Sequence, residues 1–223
     1  MQVSHEAIYQ YIYVLPRGEL KQLLIKGLRQ ERKHRRPQKR GDTAETRGKI
    51  ANMLSIEERP AEVAERSVTG HWEGDLILGK YKRSALGTLV ERTTRYTILV
   101  PLGEHKDAAS VREAYAEAFK SLPAELKKSL TYDQGKEMSE HEQFTIDTGI
   151  QVYFAHPGSP WERGTNENTN GLIRQYFPKG TDFTQVSKEE ILDVQRKLND
   201  RPRRALGYLK PDEVINQLVA LKT

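Results

Sequence analysis

The sequence contains no cysteine, which excludes a disulfide framework, a thiolate zinc site and a thiol nucleophile. Nor does it contain an apolar run approaching the roughly 20 residues that a membrane span requires. The opening MQVSHEAIYQ lacks the apolar stretch of a secretory leader. Phosphate-cradling glycine motifs, the G-x-S-x-G elbow and H-E-x-x-H are all missing, which removes the commoner nucleotide-binding, serine-hydrolase and zinc-protease chemistries. The six histidines are scattered, and none stands at metal-ligand spacing. What these absences leave is a polar chain, of mean hydropathy −0.73, suited to a reducing cytoplasm.

Charge is unevenly spread. Residues 1–50 hold twelve Lys/Arg against five Asp/Glu, whereas the remainder holds 24 against 26. Arg29–Arg40, RQERKHRRPQKR, places seven cations in twelve residues with one acid. Such a run cannot bury itself. It is either a solvated connector or a clamp for a phosphate backbone, and the small helical unit before it favours nucleic acid. Arg35, Arg36, Lys39 and Arg40 are its candidate DNA contacts.

The pattern along the chain predicts a helix over 4–14 capped by Ser4, a break at Pro16-Arg17-Gly18, and a second helix over Glu19–Leu28. A helix start is expected at Ser55-Ile56-Glu57-Glu58, interrupted at Pro60. From Gly70 the character changes. His71–Leu78, Thr88–Thr93 and Tyr96–Leu102 read as three strands of an antiparallel meander. Then follow a helix over Asp107–Leu122, a short strand Leu130–Tyr132, a helix from Ser139 to about Asp147 and a strand Ile150–Phe154. Two more helices complete the order, the second starting at the capping box Ser187…Glu190. The fold class is α/β, a mixed five-stranded sheet flanked by helices. A division is expected between a helical, basic segment over 1–66 and a core over 67–223.

The first of those last two helices lies in SPWERGTNENTNGLIRQYFPKGTDF. Ser159, Pro160 and Glu162 have the form of a helix start. A helix through Thr165–Phe177 puts Glu167, Asn170, Gly171 and Arg174 on one face and Leu172, Ile173 and Tyr176 on the other. Tyr176 is therefore expected in the core, and Trp161 is a candidate for stacking on a base. Three acids attract notice beside it. Asp75 stands inside a strand, Asp133 ends another beside Gln-Gly, and Glu167 lies on the polar helix face. Each has an ordinary reading alone: a solvated strand carboxylate beside Glu73, a turn aspartate, an exposed glutamate.

Taken together, the blocks WEGDLILG, TYDQGKE and FAHPGSPWERGTNENTNGLIRQYFPKGTDF resemble the three catalytic blocks of DDE transposases of bacterial insertion sequences. The IS-thirty type, whose core is related to retroviral integrases, is the best fit, and the resemblance covers roughly Val3–Val214. Thirty-three residues separate Asp133 from Glu167, as in that group, and Arg174 fills its basic position seven residues on.

The resemblance implies an RNase H-like core in which Asp75, Asp133 and Glu167 bind divalent metal, Mg²⁺ with Mn²⁺ able to substitute, as two ions that serve phosphoryl transfer on DNA. Arg174 would meet a phosphate, and the helix face adds Asn166, Asn168 and Asn170 as amide contacts and Gly171 as a place of close approach. A second basic cluster, Arg201, Arg203 and Arg204, stands near the end. The implied activity is DNA strand cleavage and strand transfer by a dimer or higher oligomer, in the bacterial cytoplasm at the nucleoid. Members usually carry helix-turn-helix modules ahead of the core, and MQVSHEAIYQYIY looks like the last part of one, so a truncated chain is expected. The alternatives are an RNase H-like nuclease that cuts without joining, and a DNA-binding remnant that modulates full-length transposase.

Overall fold

The computed structural model describes residues 3–28 and 50–220. The chain divides into two compact units, residues 1–48 and 49–223. The basic run holding Arg35, Arg36, Lys39 and Arg40 lies outside the described residues.

In the first unit, α1 (His5–Val14) begins at Ser4, whose hydroxyl accepts from the Ala7 N–H at 3.2 Å. This satisfies one of the donors that a helix start leaves free. α2 (Glu19–Lys26) follows, and Lys21 Nζ donates to the carbonyls of Tyr13 and Leu15 at 3.0 and 2.7 Å. A cation is thereby set on the negative end of α1. Both helices match the sequence pattern.

The second unit is built on five strands: β1 (His71–Leu78), β2 (Ala85–Glu91), β3 (Thr97–Gly103), β4 (Ser129–Tyr132) and β5 (Gln151–Phe154). They lie in the order β3-β2-β1-β4-β5, with β1–β2 and β2–β3 antiparallel and β1–β4 and β4–β5 parallel. The mixed sheet is thus the expected one, with β1 in its middle. Residues 50–66, expected with the N-terminal segment, belong to this unit. Ile50 packs into its core, and the Phe154 N–H donates to the Leu54 carbonyl at 2.8 Å. The helix start expected at Ser55 forms a single 3-10 turn closed by a capping box with Glu58, and α3 (Ala61–Glu65) starts after Pro60.

Helices cover both faces. α4 (Ala108–Lys120) and α5 (His141–Thr148) lay Val111, Tyr115, Phe119 and Phe144 against Trp72, Leu89, Leu130 and Val152. On the opposite face α6 (Gly164–Ile173) and α7 (Lys188–Asn199) set Leu172, Ile173, Ile191, Val194 and Leu198 against Ile77, Leu86 and Leu99. Alternation along β1 follows from its period of two. Trp72 and Leu76 go to the first cluster and Ile77 to the second. Glu73 and Asp75 therefore share the α6 face. α8 (Pro211–Ala220) ends the described chain, and among the described residues no helix is long and apolar enough to cross a membrane.

Two expectations about the segment after β5 need correction. Ser159 makes no side-chain cap, and Pro160–Arg163 form a 3-10 turn before α6. Glu162 turns away from the helix start and accepts from the His156 N–H at 2.8 Å, which removes it from a capping box. α6 also ends at Ile173, so Tyr176 leaves the helix and is 36% exposed, with Lys197 Nζ 5.9 Å from its ring centre. It is a surface residue, not core.

Gly74 fills a place no larger residue can occupy. A Cβ there would lie 2.8 Å from the Tyr132 ring and 3.1 Å from Leu130 Cδ1. Both neighbours are fully buried. Gly74→Ala is expected to destabilise the fold by about 1–3 kcal/mol through overpacking, read as a lower denaturation midpoint with an unchanged slope.

Candidate active site

The site is organised by two carboxylates on β1. Glu73 is fully buried, a position that demands a partner. It has two: the guanidinium of Arg92, also buried, and the Asn166 N–H, which donates to Oε2 at 2.8 Å. Asn166 adds more. Its Nδ2 donates to the Glu73 carbonyl at 2.9 Å, and its Oδ1 accepts from Thr88 Oγ1 at 3.1 Å. The amide expected to meet DNA is instead wholly buried and fastens α6 to the sheet. Removing one member of such a buried pair costs about 3–5 kcal/mol, because the other charge is stranded.

One helical turn on, Asn170 Nδ2 donates to Asp75 Oδ2 at 2.8 Å. Four residues of helix rise about 6.0 Å and two of strand about 6.6 Å, so Asn166 and Asn170 meet Glu73 and Asp75 in step. Arg174, a further turn on, donates through Nη2 to the Leu78 carbonyl at 2.9 Å and through Nη1 to the Pro178 carbonyl at 3.2 Å. Its guanidinium ties the end of β1 to the loop after α6.

Asp133 directly follows β4, the parallel neighbour of β1. Its Oδ1 accepts from the Gly135 N–H at 2.9 Å, which sets the carboxylate's direction. Between the two aspartates lies Arg163, at the junction of the 3-10 turn with α6. Its Nη1 donates to the Gly74 carbonyl at 2.9 Å and its Nη2 to Asp133 Oδ2 at 3.2 Å. Nη1 also stands 3.6 Å from Asp75 Oδ1. Burial pushes the Asp75 carboxyl above its ordinary range; Arg163 pulls it back, and the neighbouring Asp133 charge raises it again.

Glu167 is exposed on α6, four residues after Arg163 and three before Asn170. Among the described residues no three His, Cys, Asp or Glu side chains are grouped closely enough to hold a metal ion. Asp75 and Asp133 are thus drawn together around a cation, and Glu167 occupies the adjoining helix face. The donors nonetheless suit a hard divalent ion. Carboxylate oxygens from two strands face a positive group, and Asn170 Oδ1 is buried beside them with no hydrogen-bond partner. Trp161, two residues before Arg163, is 74% exposed.

Residues 65–160 match the family model described as an integrase core domain. The stretch contains all five strands with Asp75 and Asp133, and Glu167 follows it. A transposase for insertion sequence element IS1086 from Cupriavidus metallidurans is 49% identical over 223 residues, covering 100% of this chain and 65% of that protein. The chain carries an integrase core domain and is similar along its length to insertion-sequence transposases. Transposase InsI for IS30A of Escherichia coli K12 is 46% identical over 227 residues, covering 99% of this chain and 57% of that protein. The chain therefore spans between 57% and 65% of the length of these relatives. The catalytic core domain of BIV integrase shares its fold, with a TM-score of 0.54 at 16% identity over 69% of this chain and 98% of that one.

Two residues that hold this site, Arg163 and Glu73, were not singled out from the sequence. Arg163 stands four before Glu167, a spacing that puts it on the same helix face. Glu73 stands two before Asp75, on the same strand face. Either period, run one step backwards, points to them.

Because burial outweighs Arg163 at Asp75, the ionised carboxylate destabilises the fold near neutral pH. Asp75→Asn is expected to raise the melting temperature there. The gain should shrink as pH falls through the raised titration range and the wild-type carboxyl itself protonates. Thermal unfolding across pH measures it.

Proposed function

We propose that the chain catalyses cleavage and strand transfer of insertion-sequence DNA by in-line phosphoryl displacement. The observation that carries this reading is the opposition, across one guanidinium, of Asp75 inside β1 and Asp133 just past the end of the adjacent parallel strand β4, within an integrase core. Asp75, Asp133 and Glu167 would hold divalent metal, Mg²⁺ or Mn²⁺, and a bound pair of ions supplies charge to the attacking and leaving oxygens. In the first reaction water attacks a phosphodiester at the element end; one P–O bond forms, one breaks, and a 3′-OH is released. In the second that 3′-OH attacks a target phosphodiester, again exchanging one P–O bond for another. No energy-bearing cofactor is needed.

The chain's own groups prepare this chemistry. The amide of Asn170 and the Leu76 N–H each hold one oxygen of Asp75, and the Gly135 N–H holds Asp133. Such anchoring keeps the carboxylates oriented without reorganisation during the reaction. Exposed Trp161 is available to stack on an unpaired base. Arg174 already binds backbone carbonyls, so its support for the site is through the end of β1, with any phosphate contact using its remaining donors. Arg35, Arg36, Lys39 and Arg40 supply sequence-independent attraction to DNA. Joining two ends requires at least a dimer, and the setting is the cytoplasm of a bacterium.

Labelled duplex carrying an element end, incubated with Mg²⁺ or Mn²⁺, should yield nicked and joined strands. Asp133→Ala and excess EDTA should reduce both to background. Wild-type product equal to these controls would overturn the reading. Replacing Arg35, Arg36, Lys39 and Arg40 together by Ala should also lower the slope of log affinity against log salt by up to about 3–4 units. An unchanged slope would make the run a connector.

A further inference from the structure

We propose that Arg163 is the resident counter-ion of the Asp75–Asp133 pair and that divalent metal binds by displacing its guanidinium. The inference rests on the metal-dependent reading above and goes beyond it by naming what occupies the charge position before metal arrives. Two aspartates delivered to one place repel each other unless a cation stands between them. Arg163 meets that need, its side chain only 11% exposed. One guanidinium balances half of the pair's charge when both are ionised, so a divalent ion is the better match.

The contacts are arranged so that exchange disturbs little. Asp75 keeps the Leu76 N–H on Oδ1 and the Asn170 amide on Oδ2 whether or not Arg163 is present. Asp133 keeps the Gly135 N–H on Oδ1. Arg163 gives up the Nη2–Asp133 Oδ2 hydrogen bond at 3.2 Å and the 3.6 Å approach of Nη1 to Asp75, and Nη1, which also donates to the Gly74 carbonyl at 2.9 Å, moves with the guanidinium. The Arg92–Glu73 pair differs: both partners are buried, and Glu73 also anchors α6. Arg92 is locked, whereas Arg163 is detachable. Once released, its guanidinium stays near the site, because Arg163 lies at the start of α6, and is a cation suited to a phosphate oxygen.

Calorimetric titration of the metal-free full chain with MnCl₂, without DNA, tests this. Arg163→Gln keeps a neutral polar side chain at this position and removes the charge. It should bind Mn²⁺ at least about tenfold more tightly than wild type, since a neighbouring cation weakens positive-charge binding at a carboxylate by about tenfold to a thousandfold. Mn²⁺ should also raise its melting temperature by more than it raises that of wild type. Arg163→Lys keeps the charge but lacks the planar fork, and should fall between the two; it carries the test if the Gln variant does not fold. Equal or weaker Mn²⁺ binding by the variant, with wild type binding normally, overturns the exchange alone. Failure of both wild type and variant to bind Mn²⁺, or binding that survives Asp75→Asn and Asp133→Asn unchanged, overturns the metal reading together with it.

Discussion

Everything about this site depends on the rotation of one short helix, and that rotation is set by a buried carboxylate. Glu73 cannot remain in the sheet's interior without donors, and Arg92 supplies only part of them. The remainder comes from the backbone and side chain of Asn166. A helix held at both its backbone and its side-chain amide cannot turn about its axis. Asn170 is thereby delivered to Asp75, Glu167 to the neighbouring face, and Leu172 and Ile173 to the apolar cluster beneath. The stabilising network and the carboxylate proposed to bind metal are neighbours on β1, two residues apart. Stability and the proposed chemistry are therefore coupled through the same strand.

The electrostatic order of the site follows from depth. Glu73 is sealed with its counter-ion, so its charge serves the fold. Asp75 is nearer the surface, 23% exposed at its side chain, and Asp133 is 40% exposed. A gradient from sealed to accessible carboxylates runs toward the ends of the two parallel strands. Such strand ends are where α/β sheets commonly present ligands, because the loops there are free to specialise.

Much of the fold was legible from pattern alone. The strand His71–Leu78 coincides with the observed one, and Ser187 and Glu190 form the expected box. Asp75 stood out as a charge inside a strand, which is costly unless partnered, whereas Asp133 read alone as a turn aspartate and was singled out only by the resemblance of its block. The failures have a common cause in distant contacts. β2 begins at Ala85, three residues before the expected Thr88, because Ala85, Leu86 and Gly87 are buried by pairing with β1. Local composition around Glu162 suggests a cap, but a hydrogen bond to His156 takes that carboxylate. Asn166 looked like an exposed amide because nothing nearby in sequence reveals Glu73 beneath it.

The step-for-step match between α6 and β1 has a consequence for how such chains can diverge. Arg163, Asn166, Asn170 and Arg174 each meet a fixed point along one strand. Inserting or deleting a single residue between them would swing the following side chains about 100° around the helix. The interval from Arg163 to Arg174 is therefore a ruler of constant length. The loop from His156 to Ser159 bears no such constraint, lying between β5 and the 3-10 turn. Length variation between the second aspartate and the glutamate should accumulate there or earlier, while the segment beyond Arg163 changes by substitution only.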